Sequence, residues 1–376
     1  MQIHRVLATD AGDAATQLAG AAADDLTVIL PIGAGLAALD DHAIAETIAL
    51  FEGGIAVGAA TAALGPDDRF IAELEEQLGG RPSRCHPHPG AFAGPAPAVR
   101  ALLEDLASRD GTPLARLLAA FADGAHDLVL DLGGQVVRVL DGTGTDVVAV
   151  DRGFAAGPER PVAVVGAPEE LTALRDAWSE PSAVRLERLV AEGGLSVAAH
   201  ARDLAREQAP EILTMPCWTE AACADLIAVV EAANRWTPDP DDPVPGLEVS
   251  LRSIDPRLIE RLEADLAATV WPRLVAHWPE VAVTPIHDAF VIRYEPGPVT
   301  DHLPLHHDVA QVSASVRLNH GYTGGELCFP RQSWDTRDLE VGRLVAWPSL
   351  VTHPHGTAPV TAGAKYGLTV WFALPG

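Results

Sequence analysis

Hydrophobic positions follow two regimes along the chain. Over residues 1–165, short β-branched runs alternate with Ala- and Leu-rich stretches whose apolar residues recur three and four apart. Leu26-Thr27-Val28-Ile29-Leu30 and Ile55-Ala56-Val57-Gly58-Ala59 are almost unbroken apolar runs, as expected of parallel strands covered on both faces. The amphipathic stretch 40–51 between them predicts a crossover helix. Further helices are expected over 98–108 and 113–121. Strands are expected over 128–131 and 135–140, meeting at Gly133-Gly134, and the pattern ends near 162–165. This alternation is that of an α/β domain.

Residues 166–210 carry Ala, Leu, Glu and Arg at helical spacing, from 168 to 178 and from 181 to 208, and read as a helical connector. Thr219 is a suitable N-cap for a helix in which Ala222, Leu226, Ile227, Val230 and Ala233 share a face, with Cys223 in its core. The proline-broken stretch 236–246 reads as a loop, and 256–278 as a second amphipathic helical region. Beyond Phe290 the period drops to two. Val312-Ser313-Ala314-Ser315-Val316-Arg317-Leu318 alternates, 319–325 is turn-rich, and strands resume at 326–329, 342–348 and 366–371. Short strands of this kind suggest a jelly-roll barrel with flanking helices. A chain of 376 residues exceeds what one hydrophobic core usually serves. We therefore parse it as an α/β domain (1–165), a connector (166–210) and a jelly-roll domain (211–376).

Charge narrows the partners. A formal charge of −26 repels nucleic acid and anionic lipid and favours a cationic substrate. The opening residues lack a basic segment followed by an apolar run, and no uncharged apolar stretch is long enough to span a bilayer, so the expectation is a soluble, cytoplasmic protein. Four scattered cysteines indicate neither a disulfide framework nor a zinc ribbon. Gly33-Ala34-Gly35 lacks the remaining glycine of a dinucleotide fingerprint and reads as a turn. The prolines of Cys85-His86-Pro87-His88 suggest an extended surface loop.

The chemistry concentrates after Phe290. In Leu305-His306-His307-Asp308, His306 and Asp308 are two residues apart, so on a strand both point to one face. A third candidate ligand follows in Thr352-His353-Pro354-His355-Gly356, and a cation, Lys365, after that. Two imidazoles and one carboxylate form the facial triad of non-heme Fe(II) oxygenases, which leaves coordination positions open. Strand geometry favours His306 over His307; it does not choose between His353 and His355.

These residues carry a resemblance. Phe290-Val291-Ile292-Arg293-Tyr294, Pro304-Leu305-His306-His307-Asp308, Leu318-Asn319, Tyr322-Thr323-Gly324-Gly325 and Thr352-His353-Pro354-His355 resemble, in order and spacing, the catalytic domain of 2-oxoglutarate and Fe(II)-dependent oxygenases of the prolyl and lysyl hydroxylase type, the procollagen lysyl hydroxylases above all. The resemblance implies a double-stranded β-helix and His306, Asp308 and His355 as iron ligands. It also implies Lys365 as the partner of the distal carboxylate of 2-oxoglutarate, with Tyr294 donating a hydrogen bond there. Lysyl hydroxylases carry Arg at that position, whereas prolyl 4-hydroxylases carry Lys. Fe(II), 2-oxoglutarate and O2 are the implied cofactors, with ascorbate in support. The implied reaction hydroxylates an amino-acid side chain, free or in a peptide, lysyl first and prolyl or another residue as the alternative. Related halogenases need a small residue at the position of Asp308, so its carboxylate argues for hydroxylation.

The first half resembles, more faintly, the glycosyltransferase-like domains of animal lysyl hydroxylases, through Gly65-Pro66-Asp67-Asp68-Arg69, Gly90-Ala91-Phe92-Ala93-Gly94-Pro95-Ala96-Pro97 and Val139-Leu140-Asp141-Gly142. Where such an enzyme needs carboxylates to hold a divalent ion, this chain reads Pro31-Ile32-Gly33-Ala34-Gly35, and where the family has His before Gly it has Val165-Gly166. The expectation is a degenerate, non-catalytic transferase fold. Two other classes stay open: a cupin-like metal-binding jelly roll and a non-catalytic adaptor. The oligomeric state is also open, a homodimer included.

Overall fold

Alternation along the strands of the first unit decides its layering. Val28, Ala56 and Ala93 enter one buried cluster with Ile44 and Ile48, while their neighbours Ile29, Val57 and Phe92 enter another with Val99, Leu102 and Leu117. Helix Asp41–Ala49 therefore covers one face of a sheet, and helices Ala96–Ser108 and Pro113–Asp123 cover the other. In this computed structural model the described residues are all except 1, 9, 32–34, 37–40, 53, 61–67, 79–85, 132–134, 141–146, 151–152, 158–159, 167–169, 173, 175–179, 196–204, 238–246, 280–285, 298–299, 350 and 373–376. The chain divides into two compact units, Met1–Ser179 and Glu180–Gly376.

The sheet of the first unit runs Ile3–Ala8, Leu26–Pro31, His86–Pro95, Ile55–Ala60, Val137–Val139, Ala163–Val165, Gly35–Leu36, with Leu128–Asp131 also paired to Ile55–Ala60. Leu26–Pro31 and Ile55–Ala60 run parallel to each other, with His86–Pro95 between them and antiparallel to both. One expectation is corrected here. The His86-Pro87-His88 segment is thus strand, not loop. Its prolines are tolerated because Leu26–Pro31 pairs only as far as Phe92, so that end of the strand is bonded on one side, next to a register shift. Gly33, Ala34, Pro66, Asp67, Cys85 and Asp141-Gly142 lie outside the described residues, as do most of the 168–178 helix and the 236–246 loop.

In the second unit, helix Glu220–Ala233 begins at Thr219, whose hydroxyl accepts from the Ala222 N–H (3.1 Å), and ends at Asn234 in the left-handed region (φ 48°). Asp225 on this helix pairs with Arg185 (3.2 Å) and Arg188 (2.6 Å) of helix Ser182–Val190. The expected long helix over 181–208 is corrected: it stops at Val190, Gly193 follows with φ +75°, and Arg206–Ala209 is a strand paired with Ile212–Pro216. The region 256–278 is likewise two helices, Pro256–Thr269 and Trp271–His277. No described helix is long and apolar enough to cross a membrane.

Two larger antiparallel sheets and a two-stranded one, Thr323–Gly324 with Val360–Ala362, complete the described part of this unit. The larger runs Arg206–Ala209, Ile212–Pro216, Arg343–Pro348, Val312–Arg317, Lys365–Phe372, Ile286–Tyr294, Leu247–Ser250; the smaller runs Leu303–His306, His355–Thr357, Leu327–Phe329, Trp334–Asp335. Alternation gives the larger sheet two chemistries. On one face Val312, Ala314, Leu368, Val370 and Phe372 are buried. Arg293 and Tyr366 join them there, linked to Glu231 of the capped helix: Arg293 Nε donates to Tyr366 Oη (2.9 Å), which donates to Glu231 Oε1 (2.6 Å). The opposite face presents Phe290, Ile292, Tyr294, Ser315, Lys365, Thr369 and Trp371 to a cavity whose other wall, from the smaller sheet, includes His306, Leu327 and His355.

Candidate metal centre and cosubstrate pocket

His306 closes the strand Leu303–His306 and pairs across it with His355, the first residue of His355–Thr357, so two strand ends bring the imidazoles together. Their ring centroids are 4.5 Å apart. Asp308 sits between them: Oδ1 lies 3.4 Å from His306 Nε2 and Oδ2 lies 3.5 Å from His355 Nε2. One atom from each of the three lies within 4.8 Å of the others, close enough to share one ion. The far nitrogens are engaged, His306 Nδ1 with Pro304 O (2.9 Å) and His355 Nδ1 with His353 O (3.0 Å). Such bonds orient each ring so that Nε2 faces the metal position.

Both histidine doublets resolve. His307 is exposed. His353 is buried but committed elsewhere, Nε2 to Pro210 O (3.2 Å) and Nδ1 to the Thr352 hydroxyl (3.0 Å).

Burial opposes ionisation of Asp308, yet its pKa is held below the ordinary carboxylate range by the His306 hydrogen bond, the field of His355 and the Ser313 hydroxyl. Ser313 donates to Asp308 Oδ2 (2.5 Å) and accepts from Ser349 Oγ (2.7 Å). Burial lowers the pKa of His355, against the opposing pull of Asp308. An anionic carboxylate with neutral imidazoles is the state in which these groups ligate a cation. Ser313 holds the carboxylate without touching the metal position, so Ser313→Ala should weaken divalent-metal affinity about 10- to 100-fold, as loss of such a support does elsewhere. Calorimetric titration with Mn(II) checks this; unchanged affinity would remove the role.

Lys365 enters the same cavity, of about 390 Å³, from the start of the strand Lys365–Phe372. It pairs in register with Tyr294, and its Nζ lies 5.0 Å from the centroid of the Tyr294 ring. Burial first, and then the nearby Arg317 guanidinium, lower the Lys365 pKa to about 7. Burial raises that of Tyr294 despite the hydrogen bond it makes with Thr357. A half-buried ammonium whose charge is costly in the free protein is a natural partner for an anionic ligand group.

Sequence reasoning missed what positions Lys365. Asn319 brackets it: Nδ2 donates to Ala364 O (2.7 Å) and Oδ1 accepts from the Tyr366 N–H (2.8 Å). Gly325 has φ +72°, and a Cβ there would come 3.1 Å from Lys365 Cδ and 2.9 Å from Val360 Cγ2. The Leu318-Asn319 and Gly324-Gly325 motifs were visible signals, but their task follows only from packing.

With this geometry in place, similarity to known proteins identifies one domain. Residues 289–373 match the model of the 2OG-Fe(II) oxygenase superfamily. They form a 2OG-Fe(II) oxygenase domain. Curated proteins similar to the chain include procollagen-lysine,2-oxoglutarate 5-dioxygenase 1 of Mus musculus, 28% identical over 177 residues (44% of this chain, 24% of that protein). The procollagen-lysine,2-oxoglutarate 5-dioxygenase of Drosophila melanogaster is 25% identical over 179 residues (43% and 24%). The chain thus spans about a quarter of the length of these relatives. Among solved structures, a viral collagen prolyl hydroxylase from Paramecium Bursaria Chlorella virus-1 aligns with TM-score 0.35 at 17% identity, covering 44% of this chain and 97% of that one. A Pseudomonas putida prolyl-4-hydroxylase aligns with TM-score 0.35 at 22% identity, covering 44% and 94%.

The oxygenase family uses Fe(II), 2-oxoglutarate and O2. The donors here suit that set. Two imidazole nitrogens and one carboxylate oxygen converge, and among the described residues no further His, Cys, Asp or Glu joins the cluster, so an ion held there would keep open positions.

Proposed function

We propose that the chain is an Fe(II)- and 2-oxoglutarate-dependent dioxygenase that hydroxylates a lysyl side chain, in a peptide or as free lysine. The observation that carries the reading is one cavity lined both by the His306, Asp308 and His355 cluster and by the half-buried cation Lys365. The lysyl assignment is supported by the relatives whose names specify procollagen-lysine.

In this reading His306 and His355 each present Nε2 to the ion, and Asp308 offsets part of its charge. Iron bound there supplies the redox chemistry that couples decarboxylation of 2-oxoglutarate to succinate with oxygen insertion into a C–H bond. Lys365 pairs with the distal carboxylate of the cosubstrate, and Asn319 keeps the lysine backbone in register while it does so. Tyr294 and Thr357, bonded to each other, line the same part of the cavity and add polar contacts for that carboxylate. Phe290, Trp347 and Trp371 add apolar surface to the wall that would limit water around the reacting carbon.

A prolyl substrate is the second reading, favoured by Lys365 itself, since prolyl 4-hydroxylases carry Lys where lysyl hydroxylases carry Arg. For the Met1–Ser179 unit we propose a degenerate transferase fold without sugar-nucleotide chemistry, on the strength of the missing carboxylates after Leu30. The test is an iron-supplemented turnover assay over free amino acids and peptides. Succinate release with a product gain of about 16 Da, one added oxygen, is expected on lysine-containing substrates. A response only to proline or another residue would reject the lysyl assignment, and succinate release under strict anaerobiosis would reject the oxygenase.

A further inference from the structure

A second cavity lies within the Met1–Ser179 unit, at the end of the sheet where Ile3–Ala8 and Leu26–Pro31 finish together, their last residues Ala8 and Pro31 being cross-strand partners. The antiparallel strand His86–Pro95 begins at that same end. Ligands of open α/β sheets collect beside the carboxyl ends of strands. This cavity, of about 240 Å³, is walled by Ile29 and Phe92 from the sheet and by Leu103 and Leu106 from helix Ala96–Ser108. Among its described lining residues only Asp10, His88 and Arg116 carry polar side chains.

Two of these three have donors to spare. Arg116, on helix Pro113–Asp123, is half-buried, and its guanidinium makes a single long hydrogen bond, Nη1 donating to Leu106 O (3.4 Å), while the buried Nε has no partner. Among the described residues no carboxylate pairs with it, although acids outnumber bases in the chain by 52 to 26. His88 Nδ1 accepts from the Gly90 N–H (3.2 Å), which leaves the proton of the neutral ring on Nε2. Burial holds the His88 pKa down at about 4, so the ring is neutral at physiological pH. Asp10 differs: it is exposed, and its Oδ1 accepts from the Asp13 N–H (3.0 Å) as the cap of helix Ala11–Gln17. Water and salt screen its charge there.

A guanidinium without a counter-ion beside apolar walls is costly, and a carboxylate can satisfy two of its N–H groups at once. An uncharged head group would meet the donors without offsetting the charge, and an amine would meet a like charge. We propose that this cavity is a binding site for a small monocarboxylate with an apolar tail, its carboxylate held by Arg116 and His88 and its tail packed against Ile29, Phe92, Leu103 and Leu106. The site stands apart from the metal centre and does not depend on the reading given to it.

Hexanoate, hexanamide and hexylamine share one tail and differ in head group. Titrated into the full chain by ligand-observed NMR, hexanoate should bind about tenfold more tightly than hexanamide, and hexylamine more weakly than either. Arg116→Met should bring hexanoate down to the affinity of hexanamide. Lys365→Met, which removes the cation of the other cavity, should leave hexanoate binding as it is in the wild type. Absence of hexanoate binding, equal affinity for hexanoate and hexanamide, or a preference for hexylamine overturns the site, and the wild type alone decides these outcomes if Arg116→Met does not fold. Hexanoate affinity that survives Arg116→Met, or that disappears in Lys365→Met, places the ligand elsewhere and overturns it equally.

Discussion

Asp308→Ala is expected to reduce turnover to the level of metal-free protein and to abolish Mn(II) binding. Among the described residues, Asp308 is the one carboxylate that lies within 4.8 Å of both imidazoles. It is ionised despite burial because His306, His355 and Ser313 surround it. Two neutral imidazoles without a carboxylate leave the charge of a divalent ion uncompensated in an apolar pocket, where desolvation is costly. The loss should be specific. His307→Ala, one residue away and exposed, should bind Mn(II) as the wild type does. Calorimetry under argon measures metal binding and succinate release measures turnover. Metal binding that survives Asp308→Ala, or disappears in His307→Ala, would sink the triad. The same pair of variants addresses an adaptor role, because a partner interaction that needs no metal would persist in Asp308→Ala.

Lys365→Met should weaken 2-oxoglutarate binding about a hundredfold, the result of deleting one member of a buried, charge-assisted pair. Its pH signature is more telling than its size. Burial lowers the Lys365 pKa to about 7, far beneath that of the residue in an unfolded chain. The ammonium is then present below pH 7 and lost above it, so cosubstrate affinity should fall as pH rises through this range, until the pKa of the bound form sets the limit. Stability of the ligand-free protein should move the opposite way. Between the folded and unfolded pKa values the unfolded state binds the extra proton, so unfolding becomes harder as pH rises from about 7 toward about 10. Lys365→Met should flatten both profiles and raise the melting temperature at neutral pH. Calorimetric 2-oxoglutarate titrations and thermal melts across this range check the two signs. A variant with wild-type affinity for 2-oxoglutarate would show that another group holds the distal carboxylate.

Asn319 and Arg317 explain why this lysine has such an environment. Asn319 ties down the backbone on either side of it, and Arg317 is itself held by the carbonyls of Asn319 (3.0 Å) and Leu339 (2.6 Å). Two cations so close would strengthen the field on an anionic ligand group there, and the ligand-free protein bears the cost as a depressed lysine pKa.

Local pattern by itself determined the kind of element and the residue types available for chemistry. A period of two over 312–318 placed Ser313, Ser315 and Arg317 on one face of a strand, a statement that needs no distant contact; Asp308, by contrast, lies beyond the end of the strand Leu303–His306 and reaches His306 from the segment that follows. Thr219 marked the start of a helix because capping is local. Tertiary structure alone decided whatever depends on register and on chain returning from far away. His355 and His353 are equivalent by spacing, and only the hydrogen bonds of His353 to Pro210 and Thr352 turn it away from the metal position. Tyr294 meets Lys365, and Glu248 faces the cavity beside Ile292, because three strands pair in one register, and a slip of one residue would send every one of these side chains to the other face. The His86–Pro95 strand, read as loop at its start, shows the same limit from the other side: prolines argue against pairing until the fold supplies, at that end, a neighbour on one side only.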